Sequence, residues 1–167
     1  MGFKDIFHTD FSVVNSAHAR VNLIGEHTDY TGGYVLPSLL NFKTTIQISK
    51  NENKKYQVYS EHFNEQMNFA DFIKSQNNEW VDYVKGCLFV FYDENKHIPN
   101  THLNIFISSA IPMGRGISSS SALCVAILKA LNNFFKTEYA EKHIAILAQK
   151  VERDYIGVSG GIMDQMV

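Results

Sequence analysis

The chain has 167 residues, of which 45% are hydrophobic, and this length and composition suffice for one domain with its own core. Lys and Arg number 15 and Asp and Glu 17, so the formal charge is −2 and the basic field that nucleic-acid binding requires is lacking. The longest apolar runs are shorter than the roughly 20 residues of a membrane span, and the first residues lack the apolar segment of a secretory signal. Cys87 and Cys124 have no metal-ligand spacing. We therefore expect a cytoplasmic protein with reduced, buried thiols that binds neither nucleic acid nor membrane.

The first half of the chain has the residue alternation of β-strands. Val21 and Leu23 alternate with polar neighbours, and the turn residues Thr31-Gly32-Gly33 predict a hairpin between strands at Val21–Ile24 and Tyr34–Leu36. We expect Val21, Leu23 and Ile24 to anchor the first of these strands in the core. The same alternation predicts further strands at Thr44–Ser49, Tyr56–Tyr59 and Leu103–Ile107.

The second half is dominated by helical periodicity. Apolar residues recur at spacings of three and four in three segments, which run from Trp80 to Phe91, from Leu123 to Phe134 and from Ile144 to Tyr155. Early hairpins followed by helices predict an α+β fold and not a regular βαβ repeat.

A loop rich in glycine and serine stands between a predicted strand and a predicted helix. Residues 111–128 read IPMGRGISSSSALCVAIL. Glycines allow the backbone to approach a ligand closely, and the free N–H groups and dipole of the following helix attract phosphate. The loop is not a Walker A motif, because no GxxxxGK[ST] occurs. Serines are also ordinary N-cap residues, so this pattern alone leaves a purely structural role open.

The segment from Arg20 to Asp29 combines a strand with a cluster of ionisable side chains. Glu26, His27 and Asp29 lie in a loop bounded by glycines. Carboxylates accept hydrogen bonds from sugar hydroxyls, and an imidazole can donate or accept, so the cluster suits a polyhydroxylated ligand. A solvated turn would have the same composition, and both interpretations stay open.

Two carboxylates near the end of the chain suit phosphoryl transfer. Glu152 lies on the third predicted helix, and Asp164 lies in the glycine-rich segment GVSGGIMDQ. Such a reaction needs a carboxylate that holds Mg²⁺ and a group that accepts or orients the nucleophilic hydroxyl. Arg20 could complete the set by stabilising negative charge. Either carboxylate could instead be simply solvated.

Together, three segments resemble the galactokinases of the GHMP kinase superfamily. RVNLIGEHTDY, at Arg20 to Tyr30, resembles the galactokinase signature, and the serine loop resembles the second motif of the superfamily. GIMDQ, at Gly161 to Gln165, resembles the segment that holds the galactokinase catalytic aspartate. The resemblance implies a GHMP-kinase-type N-terminal domain over residues 1–167, with the ribosomal protein S5 domain 2-like fold, in which a mixed sheet packs against helices. It also implies that the C-terminal lobe is absent, because the chain stops shortly after this aspartate.

The resemblance further implies an activity and a site. The activity is transfer of the γ-phosphate of ATP to the anomeric hydroxyl of D-galactose, which gives galactose 1-phosphate. Arg20 and Asp164 would be the catalytic residues, and Ser120 and Glu152 would hold Mg²⁺. The residues implied to contact the sugar are Glu26, His27, Asp29, Gly161 and Asp164. Those implied to cradle the phosphates of ATP are Gly114, Arg115, Gly116, Ile117, Ser118, Ser119 and Ser120.

Two other functions stay open. One is a related kinase that acts on another sugar, such as N-acetylgalactosamine. The other is a non-catalytic regulator that binds galactose and ATP, although the presence of both Arg20 and Asp164 argues against it. The expected partner is the missing C-terminal lobe, with self-association of the fragment as an alternative. We expect the 167-residue chain alone to have little or no kinase activity.

Overall fold

The computed structural model describes residues 1–25, 28, 31–76, 79–112, 114–158 and 160–166. In chain order, the helices and strands are α1 (Phe3–Phe7), β1 (Val13–Asn22), β2 (Pro37–Lys50), β3 (Tyr56–Ser60), β4 (Glu65–Phe69), α2 (Trp80–Glu94), β5 (Leu103–Ser109), α3 (Ser119–Phe135), α4 (Glu141–Lys150), a π-helical turn (Val151–Ile156) and α5 (Met163–Met166).

Within the described residues, five strands form one mixed sheet in the order β1-β2-β5-β3-β4. Of the strand pairs that the structure describes, β3–β5 is parallel and the other three are antiparallel. The mixed sheet with its helices confirms the predicted α+β fold. None of the helices in these ranges is both long and apolar enough to cross a membrane.

The main core lies between the sheet and the helices α2, α3 and α4. The sheet contributes Ile46, Ile48 and Ile105, which are fully buried because they project from the same face of neighbouring strands. Opposite them, the apolar stripes of the helices bury residues such as Phe91 and Leu131 completely. A smaller cluster, in which α1 packs Phe3 against Tyr59 and Phe106, is separate from this core. The C-terminal ends of β1 and β5 therefore belong to a sheet that is well packed against the helices.

The hairpin near the start forms, but its strands lie further from the turn than predicted: β1 ends at Asn22 and β2 begins at Pro37, so the predicted strand Tyr34–Leu36 lies before β2. Its strands begin at Val13 and end at Lys50, and the pairing continues through the Leu23 and Leu36 backbones, with hydrogen bonds of 3.0 and 2.9 Å. The expectation that Leu23 and Ile24 anchor a core is wrong, because they are 59% and 70% exposed. Alternation predicts a strand, but burial depends on what covers it, and the described helices do not cover this end.

The third predicted helix changes type along its length. α4 ends at Lys150, and the chain continues as the π-helical turn Val151–Ile156. Glu152 therefore lies in the π-helical turn and not in an α-helix as predicted. The turn packs closely on α2 at Gly86, where an added Cβ would stand 2.8 Å from the Tyr155 ring and 3.0 Å from Val151 Cγ1. π-helical insertions are frequent at functional sites.

A buried carboxylate at the start of α2 fixes the preceding loop. Asp82 accepts hydrogen bonds from the Ser75 hydroxyl and from the Ser75 backbone N–H, the latter at 3.0 Å, and Lys85 Nζ lies 3.7 Å away. Burial acts to raise the pKa of Asp82, but the hydrogen bonds from Ser75 and the charge of Lys85 outweigh it and lower the pKa. The ionised form is thus favoured by the fold.

We expect Asp82→Asn to lower the free energy of unfolding at pH 7 by about 1–3 kcal/mol, because it weakens these charge-assisted contacts. A lowered pKa stabilises the fold above the unfolded value of 3.8, and this contribution is lost as pH falls through the folded value. The difference between wild type and variant should therefore shrink between pH 4 and the folded pKa. Urea unfolding at pH 7 and at acid pH measures it.

Asp10→Asn is the control for this measurement, because Asp10 is 79% exposed and its contact with Lys4 lies on the surface. An equal loss of stability in both variants, or a difference for Asp82→Asn that does not change with pH, would contradict the role given to Asp82.

Candidate active site

The loop between β5 and α3 has a backbone that few sequences adopt. Gly114 and Gly116 have φ angles of 69° and 68°, and Ser118, the N-cap of α3, has a φ of 57°. A left-handed conformation is uncommon for residues other than glycine and often marks a functional segment. The first N–H groups of α3, a 17-residue helix, point out of its N-terminus beside this loop. The arrangement therefore offers a site for an anion.

Arg20 joins β1 to this loop. Its backbone N–H donates to the Ile117 carbonyl at 3.3 Å, and its Nη1 donates to the Gly116 carbonyl at 3.0 Å. The β1–β2 register shifts between His18 and Arg20. Such a bulge re-aims a side chain, and here it accompanies an Arg20 side chain that faces the loop, while the Arg20 backbone still pairs with Leu39.

Asp164 meets Arg20 from the opposite end of the chain. Arg20 Nε donates to Asp164 Oδ1 at 2.7 Å, and Nη2 lies 2.5 Å from the same oxygen. Ser118 Oγ donates to the other oxygen, Oδ2, at 2.6 Å. The two side chains are only 13% and 27% exposed, so their charges interact more strongly than on an open surface. A guanidinium, a carboxylate and a loop serine are thus in direct contact.

A cleft of about 670 Å³ opens beside this group. Its lining includes Arg20 and Asp164 together with residues from the loop, from the π-helical turn and from the segment before α5. Of the predicted site residues, those that line the cleft are Arg20, Arg115, Gly116, Ile117, Ser120, Glu152, Gly161 and Asp164.

The predicted metal ligands lie in the same cleft. Glu152 is 7% exposed, and its Oε2 accepts hydrogen bonds from Ser121 and Gln165. A carboxylate and a serine hydroxyl are the hard oxygen ligands that Mg²⁺ prefers, so Glu152 and Ser120 fit this ion chemically. No group of three His, Cys, Asp or Glu residues that could hold a metal occurs in the described part of the chain. A magnesium ion here would therefore need phosphate oxygens or waters as its other ligands.

A second cavity, of about 520 Å³, lies on the other side of the serines. Phe63 and Trp80 stack in its wall with ring centroids 5.7 Å apart, and Trp80 Nε1 donates to Glu65 at 2.9 Å. Ser119 and Ser120 line it as well, and Ser120 lines the cleft too. This cavity was not predicted, because its aromatic residues come from a loop and from the start of a helix, which no sequence motif connects.

The remaining predicted site residues are distributed as follows. Gly114 is exposed at the tip of the loop, Ser118 faces Asp164, and Ser119 faces the aromatic cavity instead of the cleft. The predicted sugar-binding side chains Glu26, His27 and Asp29 lie outside the described residues.

Among the cleft residues that were not predicted as site residues, Asn22 and Gln165 stand out. Asn22, at the end of β1, has both amide atoms buried without a hydrogen-bond partner among the described residues. Gln165 donates from Nε2 to Glu152, and within the described part of the chain its Oε1 is buried and unpaired. Both lie in motifs named above, but only the contacts reveal them, since an unpaired buried amide has no signature in the sequence.

The sequence matches two family descriptions that cover different parts of the chain. "GHMP kinases N terminal domain" matches residues 82–167, and "Galactokinase galactose-binding signature" matches residues 1–50. With the fold and the glycine- and serine-rich loop, the first match shows that the chain belongs to the GHMP kinases. Within this family, it is galactokinases that its sequence and its structure resemble.

Two relatives illustrate this similarity. The galactokinase of Pyrococcus furiosus is 43% identical over 146 residues, which are 87% of this chain and 40% of the relative. The galactokinase of Lacticaseibacillus paracasei is 35% identical over 98% of this chain and 43% of its own length. The chain thus spans well under half the length of these curated relatives.

Solved structures agree with this assignment. A galactokinase from Lactococcus lactis, complexed with galactose, has a TM-score of 0.87 and 34% identity over 98% of this chain and 43% of its own. The mevalonate kinase of Methanococcus jannaschii has a TM-score of 0.81 at 23% identity, over 92% of this chain and 50% of its own, and shows the shared fold.

Proposed function

We propose that the whole protein is a galactokinase, which transfers the γ-phosphate of ATP to the anomeric hydroxyl of D-galactose. The main support for this proposal is that Asp164 contacts both Arg20 and Ser118, beside the glycine- and serine-rich loop. Phosphoryl transfer depends on positioning and charge stabilisation, and this arrangement supplies both in one cleft. The galactokinase relatives support galactose as the acceptor.

In this proposal, Asp164 faces the anomeric hydroxyl. Its carboxylate accepts the hydroxyl proton or orients the hydroxyl for attack, and Arg20 fixes the carboxylate and stabilises the negative charge of the transferred group. Gly161 lines the cleft next to this position. Glu26, His27 and Asp29 are the proposed contacts to the other sugar hydroxyls, because carboxylate and imidazole groups suit hydroxyl recognition.

ATP is proposed to span the two cavities. The phosphates would bind at Gly114–Ser120, where the backbone N–H groups and the helix dipole favour an anion. The purine would occupy the aromatic cavity beside Trp80 and Phe63, since flat rings offer a stacking surface. Ser120 supports this path, because it lines both cavities and so stands where base and phosphates would meet.

Mg²⁺ is the proposed cofactor, with Ser120 and Glu152 as its protein ligands. When bound, the ion would neutralise charge on the phosphate oxygens. The chain's own residues then hold the reactants: Arg20 and Asp164 at the acceptor and the loop at the donor.

We also propose that a C-terminal lobe completes the site and that the protein acts in the cytoplasm. An apolar strip beside the cleft, formed by Leu23, Ile24, Tyr34, Leu36 and Leu39, is more than half exposed at each residue. Strips of this kind usually mark contact surfaces, and the relatives have the additional length to cover it. The free, buried Cys87 and Cys124 suit a reducing compartment.

The test is an assay of the whole protein with ATP, Mg²⁺ and galactose, in which galactose 1-phosphate is detected by ³¹P NMR. We expect turnover on galactose and far less on N-acetylgalactosamine, and little or no turnover by the 167-residue chain alone. Faster turnover on N-acetylgalactosamine than on galactose would show that N-acetylgalactosamine is the substrate. Binding of galactose and ATP without any product would show a regulator instead of a kinase.

A further inference from the structure

Among the described residues, the hydrogen-bond donors to the carboxylate of Glu152 all contact one of its two oxygens. Its Oε2 accepts hydrogen bonds from Ser121 Oγ at 2.7 Å and from Gln165 Nε2 at 2.5 Å, and Gln165 Nε2 lies 3.4 Å from Ser121 Oγ. The three residues are 7%, 3% and 8% exposed in the order Glu152, Ser121, Gln165. Two donors from two different helices thus fix the orientation of a buried carboxylate that lies between them.

The other oxygen of Glu152 is left for a ligand. Oε1 accepts no hydrogen bond from the described residues, and it is not among their buried unpaired atoms. Since Glu152 lines the cleft together with Ser120, this oxygen is the one available on the side of the proposed phosphate site. A carboxylate with one oxygen pinned and the other free is pre-oriented for monodentate coordination.

The amide of Gln165 can have only one orientation here. A carboxylate accepts hydrogen bonds and cannot donate them when ionised, so Nε2 must face Glu152 and Oε1 must point away. In that direction Oε1 is buried and has no hydrogen-bond partner among the described residues. A buried unpaired carbonyl destabilises a fold, whereas an apolar side chain of similar size would not. The hydrogen bond from Nε2 to Glu152 therefore explains the glutamine at this position better than packing does.

We propose that Ser121 and Gln165 are positioning residues that hold Glu152 so that its free oxygen meets the divalent cation of a metal–nucleotide complex. This inference rests on the proposed function. Because Gln165 directly follows Asp164 on α5, the same short helix would then set both the catalytic carboxylate and the metal ligand. Binding of the metal and placement of Asp164 would then be coupled through α5, which has four residues.

The test measures Mn²⁺ affinity by electron paramagnetic resonance, with the whole protein and a fixed concentration of a non-hydrolysable ATP analogue. We expect Gln165→Met to weaken Mn²⁺ binding by about 10- to 100-fold, as loss of a residue that orients a metal ligand does, and Ser121→Ala to weaken it in the same direction. Affinity for the analogue without metal should stay within about twofold of wild type, since both side chains donate their hydrogen bonds to Glu152. Gln66→Met, on the exposed side of β4, is the control.

The outcomes separate the two proposals. If wild type binds no Mn²⁺ with the analogue, or Glu152→Gln binds it as wild type does, the assignment of the metal site fails and this inference with it. If Glu152→Gln loses binding but Gln165→Met and Ser121→Ala retain it, only the inference is overturned. Equal loss of metal-free nucleotide affinity would show a merely structural role, and Ser121→Ala decides the case should Gln165→Met not fold.

Discussion

Asp164→Asn is expected to lower the kcat for ATP-dependent galactose phosphorylation by about a thousandfold, within the range attributed to a positioned proton acceptor. Asparagine keeps the size of the side chain and can still accept from Arg20, but it has no charge and no basic oxygen for the anomeric hydroxyl. The KM for galactose should change far less than kcat, because the other sugar contacts come from elsewhere. Initial rates of ADP release by the whole protein give both values.

The matched control is Asp154→Asn. This aspartate lies on the π-helical turn, is 46% exposed and pairs with Arg153 at the surface. Its variant should keep wild-type rates. If Asp164→Asn kept more than a tenth of the wild-type kcat, Asp164 would not be a catalytic residue.

Gly25→Ala is expected to disrupt the hairpin that leads into the proposed sugar-binding segment. Gly25 has a φ of 97°, and a Cβ there would stand 2.3 Å from the Tyr34 carbonyl oxygen and 2.9 Å from Val35 Cα. Both are backbone atoms, so the two chain segments that connect β1 and β2 to the turn must move apart. We expect a loss of about 2–4 kcal/mol in the free energy of unfolding. Galactose affinity should fall more than tenfold, because Glu26 and His27 follow directly.

Gly32→Ala separates the clash from the backbone strain. Gly32 also has a positive φ, of 81°, but a Cβ there would meet nothing within 4 Å. It should therefore lose only about 1–2 kcal/mol and keep its affinity for galactose. Urea unfolding and isothermal titration calorimetry on both variants make the comparison. Equal losses in the two variants would mean that the close approach at Gly25 does not matter.

The fold was predictable where periodicity is strong. Helices α2 and α3 and strands β2, β3 and β5 follow the spacings expected of buried stripes and faces. Helices α1 and α5 and strand β4 were not predicted. α1 and α5 have five and four residues, too few for a period, and β4 has only Phe69 buried. The exposure of Leu23 and Ile24 could not be predicted, since it depends on which elements cover the hairpin.

The candidate site was predictable only in part, and for different reasons. Motifs and their resemblance identified Arg20 and Asp164, but no spacing in the sequence predicts contact between residues 144 positions apart. The aromatic cavity and the contacts of Gln165 depend on packing between distant segments. Such features become visible only when burial and hydrogen-bond partners are known.

The central claim is that Arg20 and Asp164 act on the anomeric hydroxyl of galactose beside bound phosphates. The most direct test is a crystal structure of the whole protein with galactose, Mg²⁺ and a non-hydrolysable ATP analogue. We predict the anomeric oxygen about 3 Å from the Asp164 carboxylate, with the γ-phosphate at the loop between Gly114 and Ser120. A sugar bound outside this cleft, or one whose anomeric oxygen points away from Asp164, would contradict the account.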